Sequence, residues 1–373
     1  MSDIEELHPL ARLPEEWEQV LSSMGERKYR ASQVFQWLHK RGELSFEAMT
    51  NLGKSLRGRL AERCPDPPGK VVRVERSRDG TRKLLIQFEE LSKVECVLIP
   101  MGRSGLPEED DLDSAAERDD MQKRVTLCVS TQFGCAMGCV FCASGQFGLG
   151  RGLGAQEIVL QVLLSRLYLE PPECLTNLVF MGMGEPLHHY DETARAIRLL
   201  THPEGGGLSK RRLTVSTVGL PQGIRKLGED FEGKVGLAVS LHAPDDETRS
   251  RIIPMNRRYP LAALMQALRE YPLPRRRRLT IEYTLIRDVN DGVSHASKLC
   301  ELLRDLPVKV NLIPMNPIEA SPLRTPEDEV VERFREQLAA AGYSCFVRAR
   351  RGDDVAAACG QLALHRDLVP LRR

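Results

Sequence analysis

The chain has 373 residues, 42% of them hydrophobic, and a net charge of +1, enough to bury a substantial core and more than one structural unit. No apolar run is long enough to span a bilayer, and the polar, acidic N-terminus carries no signal-peptide pattern, so the expected address is the cytoplasm, without a membrane partner. Ten cysteines in a chain this long argue against a secreted disulfide scaffold, and their grouping favours a reducing compartment with metal or redox work.

The first stretch reads as helical. Pro14–Met24, Arg30–His39 and Ser55–Cys64 repeat apolar residues every three or four positions, with Gly25 and Gly53 between them. The run Pro65-Asp66-Pro67-Pro68-Gly69 ends this unit, so a helical domain is expected over residues 1–66. Extended runs follow at Val71–Glu75, Arg82–Phe88 and Val94–Ile99. The Asp79-Gly80 turn joins the first two, which predicts a short antiparallel β extension over residues 67–101. Residues 102–123 are acidic and poor in aliphatics, and are expected to form a loop that projects away from any polyanion.

From Arg124 onward strand and helix patterns alternate. Strands are predicted at Arg124–Ser130, Leu178–Met181, Leu213–Ser216, Gly236–Leu241, Thr280–Leu285 and Lys309–Ile313. Helices are predicted at Ala155–Leu169, Asp191–Leu200, Pro221–Leu227, Leu261–Tyr271, Ser294–Asp305 and Pro326–Ala341. Apolar, β-branched strands alternating with helices give an α/β fold with a parallel sheet. Six units fall short of a closed eight-stranded barrel, so a curved, partial (β/α)6 TIM-like barrel is expected over residues 124–343. Residues 344–373 then form a C-terminal segment.

In such a barrel the site lies at the C-terminal ends of the strands. Directly after the first strand comes Gly134-Cys135-Ala136-Met137-Gly138-Cys139-Val140-Phe141-Cys142. Three thiolates at that spacing can aim at one inorganic centre. Closed zinc sites and fully ligated iron–sulfur clusters take four protein ligands, so three would leave one iron of a four-iron cluster open to a small molecule. The competing readings are packed small hydrophobes and a zinc site completed by a distant residue. After the second strand, Met181-Gly182-Met183-Gly184-Glu185-Pro186 combines two glycines with a carboxylate. The later strands end in Ser216-Thr217-Val218-Gly219, Ser240-Leu241-His242-Ala243-Pro244 and Pro314-Met315-Asn316-Pro317. Recurrence of polar groups at the same strand ends indicates a shared site.

Basic residues cluster at Lys210–Arg212, Arg257–Arg258, Arg275–Arg278 and Arg348–Arg351. Any one cluster reads equally well as solvated surface. Together they tilt the reading toward the phosphate backbone of RNA.

The cysteine run, with Phe141 before its last thiol, resembles the cluster-binding loop of the radical S-adenosylmethionine enzymes. The glycine loop one strand later resembles the segment that binds the cofactor's ammonium group there. Three further segments narrow the resemblance: Cys128 in Thr126–Ser130, Cys359 in Arg351–Leu362, and Glu95 in Lys93–Val97. With GMGEPL, STVG, SLHAP, YTLI-R-DVND and LIPMNP, they resemble the RlmN/Cfr family of RNA adenine methyltransferases from about Gly25 to Leu362. The likeness is closer to the RlmN branch, which methylates adenine C2 in 23S ribosomal RNA and, in some members, in tRNA beside the anticodon.

The resemblance implies a radical S-adenosylmethionine barrel with a helical accessory domain that binds RNA, where Lys54, Arg57 and Arg59 are candidate phosphate contacts. It implies one 4Fe–4S cluster on Cys135, Cys139 and Cys142. It maps S-adenosylmethionine to Gly184, Glu185, Ser216, Ser240, Leu241, His242 and Asn316. Two cofactor molecules would act per turnover. Cys359 would accept a methyl group and form an adduct with the RNA, Glu95 or Cys128 would take the C2 proton, and Cys128 would release the product through a transient disulfide. The expected partners are 23S rRNA, tRNA and an electron donor such as flavodoxin, acting on a monomer. The rival readings are a C8 methyltransferase of the Cfr type, a radical enzyme for a small molecule, and an RNA-binding protein with a structural metal. Cys64, Cys96, Cys174, Cys300 and Cys345 are expected to be packing residues.

Overall fold

The computed structural model describes residues 3–88, 92–101, 123–318 and 321–362. The expected acidic loop therefore lies, except for Lys123, outside the described residues.

The N-terminal unit comprises α1 (Asp3–Glu6), α2 (Pro14–Ser23), α3 (Tyr29–Phe35) and α4 (Lys54–Arg63), with a wider helical turn at Gln36–Arg41 extending α3. Pro14 opens α2, and the Glu16 carboxylate accepts the Leu13 N–H at 2.7 Å, closing the first turn. Trp17, Leu21, Phe35, Leu38 and Leu60 form its buried core. The unit docks on the rest of the chain through polar clasps. Arg195 pairs with Glu16 at 2.8 Å, Arg166 Nη1 donates to the His39 carbonyl at 3.2 Å, and Phe35 meets His202 edge-on.

Strands β1 (Lys70–Arg76), β2 (Arg82–Gln87) and β3 (Lys93–Pro100) form the expected antiparallel extension. It is continuous with the main sheet, because β3 pairs antiparallel with β4 (Lys123–Cys128), placing Val97 opposite Cys128. A short hairpin, β5 (Gln132–Gly134) with β6 (Leu149–Gly152), brackets the cysteine run. The parallel strands continue as β7 (Glu173–Phe180), β8 (Leu213–Thr217), β9 (Gly236–Ser240), β10 (Leu279–Leu285), β11 (Val308–Pro314) and β12 (Ser344–Val347). The strand order is β1-β2-β3-β4-β7-β8-β9-β10-β11-β12. β1 and β12 are the two edges, so the barrel is open.

Six strand–helix units were expected from the sequence, and a seventh parallel strand, β12, is present: the sheet runs past residue 343 to include Ser344–Val347. The connecting helices are α5 (Ala143–Gln146), α6 (Ala155–Arg166), α7 (Tyr190–Thr201), α8 (Pro221–Phe231), α9 (Asp246–Ile252), α10 (Leu261–Glu270), α11 (Val293–Leu303) and α12 (Asp328–Ala340). Strand interiors such as Leu127, Val215, Val239, Ile281 and Val310 are fully buried, as required of a sheet covered by helices.

Beyond β12 the chain returns across the sheet to the β1–β2 turn. Asp79 accepts the Gly352 N–H at 3.1 Å, and Asp354 accepts from Ser77 Oγ at 2.5 Å and the Arg78 N–H at 3.2 Å. The β extension is thus a clasp for residues 352–356. In Asp79→Ala, amides of residues 352–362 should exchange hydrogen roughly tenfold faster while strand amides of β7–β11 are unaffected, as mass spectrometry of deuterated peptides would show.

Candidate active site

The C-terminal ends of β7 to β11 surround a cleft open at its mouth. Each wall is set by local backbone chemistry. Gly134 has φ +77°, and a side chain there would put a Cβ 2.0 Å from the Gly148 carbonyl. The Cys135 N–H donates to that carbonyl at 2.8 Å, so the β5–β6 hairpin fixes the base of the cysteine loop. At the other end of the loop the Val140 N–H donates to the Ile252 carbonyl of α9 at 3.1 Å.

Cys135, Cys139 and Cys142 all line the cleft. Burial pushes the Cys135 thiol up to about 12 and raises Cys139 and Cys142 as well, with mutual repulsion of Cys142 and Cys135 adding to Cys139. Among the described residues no three His, Cys, Asp or Glu side chains are grouped to hold a single metal ion. Three desolvated thiols lining one side of a wide cleft form a soft donor set that fits a larger iron–sulfur group, which must displace their protons on binding.

The glycine loop faces them. Gly184 has φ +106°, and a Cβ there would meet Gln132 at 2.6 Å. The Glu185 N–H donates to Gln132 Oε1, and the Glu185 carboxylate accepts the Leu187 N–H at 3.0 Å and the Val218 N–H at 2.8 Å. Burial raises the Glu185 carboxyl to about 7, against the opposing pull of those two N–H groups. A buried carboxylate with this loop around it suits a cationic ligand group.

His242 occupies a left-handed backbone position, φ +57°. Its Nδ1 accepts the Thr284 N–H at 2.8 Å, so the proton of the neutral ring sits on Nε2. Burial, helped by Arg249, lowers its basicity to about 3, and Phe141 packs edge-on against the ring. Arg249, 1% exposed, donates to the carbonyls of Leu241, Val218 and Ser240 and to Asn256 Oδ1. It thereby locks the ends of β8 and β9. Ser216, Ser240 and Asn316 line the same cleft, whereas Leu241 is fully buried and not part of the lining, its N–H donating to the Glu282 carbonyl and its carbonyl accepting from Arg249.

Cys359 enters from the C-terminal segment and lines the cleft beside Gly360. Asn316 Nδ2 donates to the Cys359 carbonyl at 3.0 Å, and the Ala143 N–H donates to the Gly360 carbonyl at 2.7 Å. The Cys359 thiol is raised by desolvation, although the residue itself is exposed, with Arg348 pulling the other way.

Cys128 and Glu95 stand behind the lining. Cys128 ends β4, is 7% exposed, and is raised by burial and then by Cys359, its strongest electrostatic neighbour. Glu95, two residues before Val97, shares the face that Cys128 occupies. Its Oε1 pairs with the buried Lys83 at 3.1 Å, and Lys83 also bonds Glu75 at 2.9 Å. Sequence reasoning missed Lys83, Arg249 and Glu282, and named Arg348 only as part of a basic cluster, because their partners become neighbours only through the fold.

The arginine clusters divide. Arg348 reaches the cleft, whereas Lys210–Arg212 and Arg275–Arg278 precede β8 and β10 and so lie at the opposite ends of the strands. In the helical unit Arg59 is held by Glu26 and the Met24 carbonyl, and Arg57 donates to the Glu47 carbonyl.

Comparison with known proteins agrees with this geometry. Residues 13–65 match the ribosomal RNA large subunit methyltransferase N-terminal domain, and residues 129–300 match the radical SAM superfamily. A dual-specificity RNA methyltransferase RlmN of Sorangium cellulosum is 57% identical, covering 96% of both chains. The protein of that name from Syntrophus aciditrophicus is 43% identical over 94% of both. The crystal structure of a radical SAM methyltransferase from Sphaerobacter thermophilus has a TM-score of 0.85 and 42% identity, covering 95% of this chain and 99% of that one.

The raised Glu185 carboxyl has a stability consequence. Its folded value of about 7 exceeds the ordinary 4.5, so the fold binds a proton that the unfolded chain releases, and stability falls as pH rises from about 4.5 to 7. In ligand-free protein, Glu185→Gln should gain stability relative to the parent between pH 5 and 7.5, by up to about 3 kcal/mol. Urea unfolding at the two pH values measures it, and a pH-independent difference would rule out the titration.

Proposed function

Given that the chain belongs to the RlmN family of RNA methyltransferases within the radical SAM superfamily, we propose that it methylates C2 of adenosine in the peptidyl-transferase region of 23S rRNA and in tRNA beside the anticodon. It is a radical SAM methyltransferase acting on RNA, with one 4Fe–4S cluster and S-adenosylmethionine as cofactors. The reading that it works in the cytoplasm as a monomer, reduced by a donor such as flavodoxin, goes with this proposal.

Cys135, Cys139 and Cys142 would hold the cluster through their thiolates. Gly184, Glu185, Ser216, Ser240, Leu241, His242 and Asn316 would hold S-adenosylmethionine, with Glu185 facing its ammonium group and the His242 Nε2–H offering a donor. Bound there, the cofactors supply a methyl group and, from a second molecule, a 5′-deoxyadenosyl radical.

The protein's own sulfurs do the rest. Adenine C2 is an electron-poor carbon bearing hydrogen, so it cannot attack an electrophilic methyl group itself. The Cys359 thiolate is methylated first. After loss of one methyl hydrogen, its carbon bonds to C2, joining protein to RNA. Glu95 or Cys128, on the inner face of the sheet, takes the C2 proton. The Cys128 thiolate then attacks the Cys359 sulfur; the sulfur–carbon bond breaks, the released carbon takes a proton to become methyl, a disulfide forms, and the one electron left over from the radical addition would return to the cluster. The observation that supports this reading best is the seating of Cys359 against the cysteine loop, within electrostatic reach of Cys128.

Nucleoside mass spectrometry of 23S rRNA and tRNA treated with the anaerobically reconstituted enzyme tests it. 2-Methyladenosine is expected, and 8-methyladenosine would overturn the assignment. Cys359→Ala should make no methylated RNA while still producing 5′-deoxyadenosine. Cys128→Ala should accumulate a covalent protein–RNA species, visible as a band retarded in denaturing gels.

A further inference from the structure

Glu282 lies on β10, in register with Ser240 of β9 on one side and Asn311 of β11 on the other. It is 4% exposed, yet it lines the cleft with Cys359 and Arg348. One carboxylate oxygen is used by the protein: Oε1 accepts from Asn311 Nδ2 at 3.1 Å and from Arg348 Nη2 at 3.1 Å. The other, Oε2, is buried and has no hydrogen-bond partner among the described residues. An ionised carboxylate can only accept, and a desolvated acceptor on a side chain that lines the cleft lacks a donor until a ligand brings one.

The position of Glu282 says which ligand that is. Glu185 follows β7, three strands away, and the cysteine loop follows β4, further still. Glu282 stands instead toward the open edge, between Ser240 and the segment that carries Arg348, and its charge acts on the Cys359 thiol. Both side chains line the cleft, so a base that reaches Cys359 shares that space with Glu282.

We propose that Glu282 is a specificity-determining residue for the target base, its Oε2 accepting a hydrogen bond from the exocyclic amine of the adenine presented to Cys359. This rests on the reading that Cys359 delivers its carbon to adenine C2. Adenine offers acceptors at its ring nitrogens and a donor only at its 6-amino group. An acceptor-only oxygen therefore engages that base through the amine alone. The same carboxylate holds Arg348 in the cleft, where a guanidinium supplies donors to ring nitrogens.

The test is a cycle between residue and substrate. Two RNAs, one with adenosine and one with purine riboside at the target position, share a C2–H and differ in the 6-amino group. The parent enzyme should favour adenosine by roughly ten- to a hundredfold in kcat/KM, the range for a hydrogen bond to a charged acceptor. In Glu282→Ala that preference should fall to about twofold, with affinity for S-adenosylmethionine measured by calorimetry unchanged. Glu282→Gln, which keeps the shape of the side chain, should reduce the preference by several-fold and guards against a folding defect in the alanine variant.

An undiminished preference in both variants would overturn the proposal. So would a preserved preference with more than tenfold weaker cofactor binding, which would give the carboxylate to the ribose or adenine of S-adenosylmethionine. Failure of the parent enzyme to make 2-methyladenosine at all would overturn the functional reading, and this assignment with it.

Discussion

Residues 359–362 are tied to the cysteine and asparagine loops by four hydrogen bonds, and the chemistry of the cleft depends on that seam. The Ala143 N–H and Ser144 Oγ donate to the carbonyls of Gly360 and Leu362, at 2.7 and 2.5 Å. Asn316 and Gln361 complete it, through the Cys359 and Pro317 carbonyls. Every contact uses a backbone carbonyl, so the side chain of Cys359 is left to face the cleft. Gly360, at φ +81°, makes the turn that allows this, and a Cβ there would come within 3.2 Å of the Phe141 carbonyl. Two cysteine groups more than two hundred residues apart in sequence thus share one cavity.

Desolvation gives that cavity its electrostatic character. Every cysteine facing it, or standing just behind it, is pushed toward the neutral thiol, Glu185 toward the neutral acid, and His242 toward the neutral ring. The charges that persist are balanced within the protein. Lys83 bridges Glu95 and Glu75, and Arg348 bonds Glu282. Arg249 is solvated by three carbonyls and an amide oxygen instead of an anion.

Much of this was legible in the chain. Proline and glycine punctuation marked α2, α3 and α4, because Pro14, Gly25 and Gly53 act locally. β-Branched runs marked the barrel strands, and placing the cysteine run after the first of them located the cleft before any contact was known. β12 escaped because Ser344-Cys345-Phe346-Val347 is short and half-exposed, and its strand character comes from pairing with β11. The β5–β6 hairpin escaped because Gly134 and Gly148–Gly152 read as loop, and its pairing was invisible locally. Glu282 read as one more residue of an apolar strand. Nothing nearby announces that its partners are Asn311 and Arg348. Resemblance supplied Glu95, Cys128 and Cys359 as candidates, but not the Lys83 bridge or the seam that seats the last of them.

The placement of the two cysteines divides labour between them. Cys128 ends a strand flanked on both sides by hydrogen-bonded neighbours, so its sulfur is an anvil. Cys359 hangs from a tether pinned at one end by the β1–β2 turn and at the other by the seam beside Ala143. Of the two, only Cys359 lies outside the sheet, so loosening either pin would move it and leave Cys128 where the strands hold it.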